Sequence, residues 1–230
     1  MTTAARNRDA AGTPTLEATS LYRFFRAGDE ETLALQGVSL TLAAGELVAV
    51  GGPSGSGKST LLACLAGIDN PDGGMVRVNG QRLSHQSELV QSRIRAEQIG
   101  LLFQTANLLP HLTVAQNVRL AQALVRRSPR PAAAILEALG VGHRARAYPS
   151  QLSGGELARA GLAVSLANTP AVILADEPTG ELDGDTERVV LDLLVDCARA
   201  GAAILIVSHS DAVTAAADRV IRLSDGRVSQ

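Results

Sequence analysis

The chain has 230 residues, 46% of them hydrophobic and 19% charged, with a formal net charge of −2. That length supports one sizeable core with a smaller satellite lobe, and the balance excludes a wholly disordered or collagen-like chain. With no excess of Lys and Arg to neutralise a phosphate backbone, nucleic acid is not expected as a partner.

Residues 1–14 are small and polar, lack the apolar stretch of a secretion signal, and are expected to form a flexible tail on a chain that stays in the cytoplasm. Leu33 to Leu42 and Gly45 to Val50 read as strands around the turn Ala43-Ala44-Gly45. Lys58 to Gly67 has helical spacing, and Met75 to Val78 is a short strand leading to the reversal Asn79-Gly80. A helix over Ser87 to Gln98, a strand over Ile99 to Phe103 and a polar loop around Gln104 to Asn107 follow. Thr113 to Gly140 holds two helical patterns, broken by Arg126 to Pro131, which carries two prolines and no apolar residue. The rest alternates: helix from about Gly154 to Ala167, strand Ala171 to Ala175, helix Gly184 to Ala200, strand Ala203 to Val207, and a short helix after Ser210. Strands alternating with helices predict an α/β fold with a mostly parallel sheet covered on both faces. No apolar run approaches the roughly 18–20 residues that a membrane-spanning helix needs, so the chain is not expected to cross a bilayer. Cys64 and Cys197 lie far apart on predicted helices and read as reduced, buried side chains.

Gly52-Pro53-Ser54-Gly55-Ser56-Gly57-Lys58-Ser59-Thr60 follows a predicted strand and opens a predicted helix. Two glycines separated by four residues, before Lys and a hydroxyl residue, form a phosphate loop, in which backbone N–H groups curl around an anion at the positive end of a helix. Lys58 is placed to reach the β- and γ-phosphates of ATP, and Ser59 to ligate Mg²⁺. Asp176 and Glu177 follow an all-apolar strand, whose carboxyl end faces the ligand crevice in such a sheet. Asp176 can hold Mg²⁺ while Glu177 accepts the proton of an attacking water. By the same placement His209, after Ile206-Val207-Ser208, faces the crevice and can donate to the γ-phosphate. Ser153 and Glu156 have the spacing of a capping box. The intervening Gly154 and Gly155 are costly in a first helical turn and suggest close approach of the backbone to an anion.

Gln151-Leu152-Ser153-Gly154-Gly155-Glu156, between the phosphate loop and Asp176-Glu177, resembles the signature of ATP-binding cassette (ABC) ATPases, and the resemblance runs from about Leu16 onward. It implies a P-loop NTPase of the ABC type: a mostly parallel core, an N-terminal antiparallel β subdomain and a helical subdomain. One domain over 15–230 follows, with core and β subdomain at about 15–103 and 168–230, and the helical subdomain at about 104–167. Two protomers are implied to stack head to tail as a homodimer, so that Ser153, Gly154 and Gly155 of one meet the γ-phosphate held by Lys58 of the other. The resemblance makes Gln104 a sensor of Mg²⁺ and the attacking water, Asp183 the link between the two sites, and His209 the switch histidine. It places the adenine on Phe25, with Tyr22 and Phe24 as alternatives.

Leu108 to Val114 and Ala175 to Gly180 are similar to the branch serving macrolide exporters, lipoprotein release and cell division. That branch implies an integral membrane permease as partner, docked beside Thr105 to Leu112, with the subunit peripheral on the cytoplasmic face of the membrane. The expected function is therefore ATP hydrolysis that drives transport or mechanotransmission; a soluble non-transport ABC ATPase is the alternative, weakened by the absence of a paired second cassette, a coiled coil or a basic excess. Departures from the family pattern are Leu157 and Ala158 in place of polar residues, the run Leu162 to Leu166 where an arginine is usual, Glu181 in place of asparagine and a short segment from Arg126 to Pro131. These bear on contacts across the dimer and to the partner. No C-terminal regulatory domain is expected.

Overall fold

The computed structural model of the protein describes residues 13–27, 30–103, 107–126 and 130–229. In chain order these form β1 (Leu16–Ala27), β2 (Glu30–Leu42), β3 (Leu47–Gly51), α1 (Lys58–Leu65), β4 (Gly73–Val78), β5 (Gln81–Arg82), α2 (Glu88–Gln98) and β6 (Ile99–Leu102). Then come α3 (Val114–Ala123), α4 (Ala132–Ala138), short 3-10 turns at Gly142–Arg144 and Pro149–Gln151, α5 (Gly154–Ser165), β7 (Val172–Asp176) and α6 (Gly184–Arg199). The chain closes with β8 (Ala203–Val207), α7 (Asp211–Ala216), β9 (Arg219–Ser224) and β10 (Arg227–Ser229).

Six strands make one sheet in the order β10-β9-β3-β8-β7-β6, parallel except for β10. The other four make an antiparallel sheet, β2-β1-β4-β5. Successive side chains of a strand point to opposite faces, so the parallel sheet feeds two cores. Val48 and Val50 of β3, with Leu205 and Val207 of β8, pack toward the antiparallel sheet, α1 and α2. Leu47, Ala49, Ile204 and Ile206 pack toward α3, α4, α5 and α6. Burial on both faces is why these strands are apolar throughout, each Leu, Ile or Val contributing about 1.5–3 kcal/mol as an upper bound. Among the described residues no helix is long and apolar enough to cross a membrane.

Strand register sets the site. Val50 pairs with Val207, and Val207 with Asp176, so β3, β8 and β7 end side by side. The segments leaving them, the phosphate loop, Ser208-His209 and Glu177, therefore emerge at one edge, the carboxyl end where parallel sheets bind ligands.

Two stretches differ from expectation. β1 forms where no element is predicted: register shifts at Ala18/Leu21, Leu21/Tyr22 and Arg23/Phe24 break the alternation that marks a strand. β9 and β10 form a hairpin beyond the last predicted helix. Cys64 is buried, which pushes its thiol up to about 12, whereas Cys197 is only partly buried, and both are free thiols.

Candidate nucleotide-binding site

Gly52, Pro53, Ser54, Gly55, Ser56 and Gly57 connect β3 to α1, and Lys58, Ser59 and Thr60 form the first turn of that helix. Gly57 is the N-cap, at φ 100, with no side chain covering the helix amides, so the first-turn N–H groups stay available to an anion. The loop is also braced from behind. A Cβ at Gly57 would overlap the Ala34 carbonyl of β2, and one at Gly52 would overlap the Leu223 carbonyl of β9. Lys58 Nζ donates to the Gly52 and Pro53 carbonyls at 2.8 and 2.9 Å, which folds the ammonium over the loop.

Ser59 Oγ lies 3.4 Å from Asp176 Oδ2, joining the helix start to the end of β7. Burial, and next the neighbouring Glu177 charge, push the Asp176 carboxyl above the usual aspartate range, against the pull of Ser59 and Lys58. A carboxylate held in that environment beside a hydroxyl suits a hard divalent cation that takes oxygen ligands, so the residues fit Mg²⁺.

Glu177 has φ 45, an uncommon backbone for a non-glycine residue. Its N–H donates to the Val207 carbonyl at 2.9 Å, and its own carbonyl accepts from Gly180 at 3.2 Å. The Glu177 carboxylate accepts at Oε2 from Ser208 Oγ at 3.1 Å and from the His209 N–H at 3.4 Å, while Oε1 lies 3.7 Å from His209 Nε2. Glu177, Thr179, Leu182, Glu187, Ser208 and His209 border a cleft of about 540 Å³.

A second group forms around the start of α5. Ser153 and Glu156 make the predicted capping box, and Glu156 also accepts from Arg144 Nε at 2.8 Å, with His143 Nε2 at 3.3 Å. The Arg144 bond, then the Ser153 amide, hold the Glu156 carboxyl down at about 2. Gly155 has an intramolecular cause that the sequence pattern does not reveal: a Cβ there would overlap the Thr186 methyl of α6, while Gly154 lies open beside Leu182. Asp183 caps α6, accepting from Thr186 N–H and Thr186 Oγ1, both at 2.9 Å, and these bonds keep its carboxyl below the usual range. Ser153, Gly154 and Asp183 are all exposed. Among the described residues no hydrogen bond joins the Ser153 group to the loop of residues 52–60.

The three aromatic candidates for the adenine lie on β1 and are all partly exposed. Tyr22 is engaged within the chain, its ring lying across Gly37 and Gly73. Phe24 donates its N–H to Asp72 Oδ2 at 2.7 Å. Phe25 carries the Arg23 guanidinium 4.8 Å from its ring centroid, and Arg23 is in turn fixed by Asp69 and Asp72. Gln104 lies outside the described residues.

Three contributors escape the sequence motifs. Ser208 touches Glu177, Thr186 joins Gly155 to Asp183, and the Asp225-Gly226 turn backs the phosphate loop. Gly226 N–H donates to the Ser56 carbonyl at 3.1 Å, and the Gly226 carbonyl accepts from Gln36 N–H at 2.7 Å. Gln36 Nε2 donates to the Asp225 carbonyl, and Arg227 donates to Gln36 Oε1. The signal for this hairpin was present: Asp-Gly between two short alternating runs.

Residues 35–180 match the family model described as ABC transporter. The chain is 42% identical over 220 residues to an uncharacterised ABC transporter ATP-binding protein of Mycobacterium tuberculosis, covering 94% of this chain and 89% of that one. It is 43% identical to the macrolide export ATP-binding/permease protein MacB of Burkholderia pseudomallei, again over 94% of this chain but only 34% of that longer protein. Among solved structures, the dimeric bacterial ABC transporter cassette MJ0796 is similar at TM-score 0.87 and 33% identity, over 94% of this chain and 97% of that one. A post-hydrolysis dimer of the same cassette, bound to ADP and Pi, gives TM-score 0.86 and 34% identity over 94% and 97%.

Proposed function

The chain belongs to the ABC transporter family, and we propose that it is the subunit that hydrolyses ATP to drive conformational change in a separate integral membrane permease. The observation that carries this reading is the convergence of Lys58, Ser59, Asp176, Glu177 and His209 at the carboxyl edge of β3, β7 and β8.

In this reading the phosphates of ATP lie in the curl of residues 52–57, where γ-phosphate oxygens compete with the Gly52 and Pro53 carbonyls for Lys58. Phe25 offers the adenine a ring face, with Tyr22 already engaged by Gly37 and Gly73. Ser59, Asp176 and Gln104 hold Mg²⁺, which when bound neutralises charge on the phosphate oxygens. Glu177 takes a proton from the water that attacks the γ-phosphorus; the new bond is water oxygen to phosphorus, the bond broken is the one to the β-bridging oxygen, and ADP and phosphate leave. His209 steadies the γ-phosphate.

The exposed Ser153, Gly154 and Asp183, with no hydrogen bond to their own phosphate loop among the described residues, support a site shared by two copies, in which each chain offers these residues to the partner's ATP. Dimeric solved relatives support the same arrangement. The domain division at about 15–103, 104–167 and 168–230, and a peripheral place on the cytoplasmic face of the membrane through the permease, belong to this proposal. The test is phosphate release by the wild type and by Glu177→Gln. Loss of about 10²- to 10⁴-fold is expected, and unchanged release removes Glu177 from its role. For the partner, recovery of the subunit from membranes with an integral membrane protein attached supports the reading. A subunit that stays wholly soluble in cells making the matching permease contradicts it.

A further inference from the structure

Ser208 is buried, 6% exposed, at the end of β8, where its N–H donates to the Val50 carbonyl of β3 at 3.2 Å. Its hydroxyl has two neighbours of different kind. The Ser210 N–H lies 3.1 Å from Ser208 Oγ, and an amide N–H can only donate, so this bond occupies a lone pair of the hydroxyl. The hydroxyl proton is left to point at Glu177 Oε2, 3.1 Å away. Ser210 is itself fixed as the N-cap of α7, accepting from the Ala212 and Val213 amides. A short chain of hydrogen bonds therefore runs from the start of α7 through Ser208 to one oxygen of the Glu177 carboxylate.

That carboxylate needs such an anchor. The backbone of Glu177 is fixed by its bond to Val207, but its side chain has several free torsions, and a proton acceptor must be held in a narrow geometry to act. Its two oxygens are unequally placed. Oε2 takes Ser208 Oγ and the more distant His209 N–H, whereas among the described residues Oε1 has only the exposed His209 ring at 3.7 Å.

We propose that Ser208 is a positioning residue for hydrolysis: its hydroxyl anchors Oε2 of Glu177 and so presents Oε1 as the oxygen that receives the water's proton. This rests on the reading of Glu177 as the base. It assigns to Ser208 a role carried through Glu177 alone, with no part in holding the nucleotide.

The test compares Ser208→Ala and Ser208→Thr for phosphate release and, separately, for ADP binding by titration. Ser208→Ala should lower kcat roughly ten-fold or more, the scale for losing a hydrogen bond to a charged group, with KM and ADP affinity within about two-fold of wild type. Ser208→Thr, which keeps the hydroxyl, should recover kcat to within about three-fold. In a Glu177→Gln background the alanine change should cost little more, because its route runs through the lost carboxylate. Wild-type kcat in Ser208→Ala overturns the proposal. So does a fall in ADP affinity equal to the fall in kcat with no recovery in Ser208→Thr, or a full additional loss on top of Glu177→Gln. Normal turnover by Glu177→Gln alone is a separate result, which contradicts the reading of the base itself.

Discussion

Gly155 and Thr186 are packed so closely that no side chain fits between them: a Cβ on Gly155 would overlap the Thr186 methyl. Thr186 also gives both its N–H and its hydroxyl to Asp183. The start of α5 and the Asp183 loop are thus in direct contact through Thr186, which sets the two surfaces proposed to meet a partner's nucleotide side by side.

This contact makes Gly155→Ala destabilising by about 1–3 kcal/mol, the range for overpacking a close contact. Thr186→Ser removes the methyl while keeping the hydroxyl that caps Asp183. The double variant should recover most of the lost Tm in thermal unfolding; failure to recover would show that the methyl is not the obstacle.

The C-terminal hairpin should matter to nucleotide binding although no motif residue lies in it. Gly226 has φ 72, and a Cβ there would lie 2.7 Å from the Ala34 carbonyl, so Gly226→Ala must shift the turn that donates to Ser56. The expected cost is about 1–3 kcal/mol of stability, with weaker ADP binding measured by titration on the folded fraction. Unaltered ADP affinity in a folded Gly226→Ala protein contradicts a bracing role for the hairpin.

Acid stability should carry the mark of Glu156. Its folded carboxyl is held at about 2, well below its ordinary value near 4.5, chiefly by Arg144 and next by the Ser153 amide. A depressed carboxyl contributes stability that is fully present above the unfolded value and is lost as the pH falls toward the folded one. Glu156→Gln keeps a capping-box partner but cannot titrate, so urea unfolding from pH 5 down to pH 2 should show a shallower loss in the variant than in the wild type. Parallel curves would assign the ion pair no share of acid stability.

Asp176 should act in the opposite sense. Burial and the Glu177 charge raise its carboxyl, so the folded chain holds this proton more tightly than the unfolded chain does. Its contribution to stability falls as the pH rises through the raised value. A protonated carboxyl is a poor ligand for a hard cation, so Mg²⁺ affinity measured with bound ADP should weaken as the pH drops toward that value. Asp176→Asn should bind Mg²⁺ weakly with little pH dependence over the same range; wild-type affinity in that variant contradicts its role as a ligand.

Much of this architecture can be read from residues. The all-apolar runs that become β7 and β8 are uniform because both of their faces are buried, and Gly52 to Thr60 announces its loop through glycines that the conformation requires. β1 is obscured by its bulges, whereas β9, which buries Ile221 and Leu223 in alternation, is legible from that pattern and the Asp225-Gly226 turn after it. In the candidate site, the charged and glycine-rich residues stand out because their chemistry is rare elsewhere. Ser208 and Thr186 do not, since a serine or threonine at an element end is ordinary, and only the distances to Glu177 and Gly155 distinguish them.

In the proposed arrangement the hydrolytic site is completed by a second copy of the chain. Phosphate release per chain, measured at saturating ATP across a wide dilution series, tests it most directly. Turnover per chain should rise steeply with protein concentration and level off once the dimer dominates, while ADP binding stays constant over the same series. A turnover number that does not change with dilution would mean that one chain hydrolyses ATP alone, and would contradict a site shared between two copies.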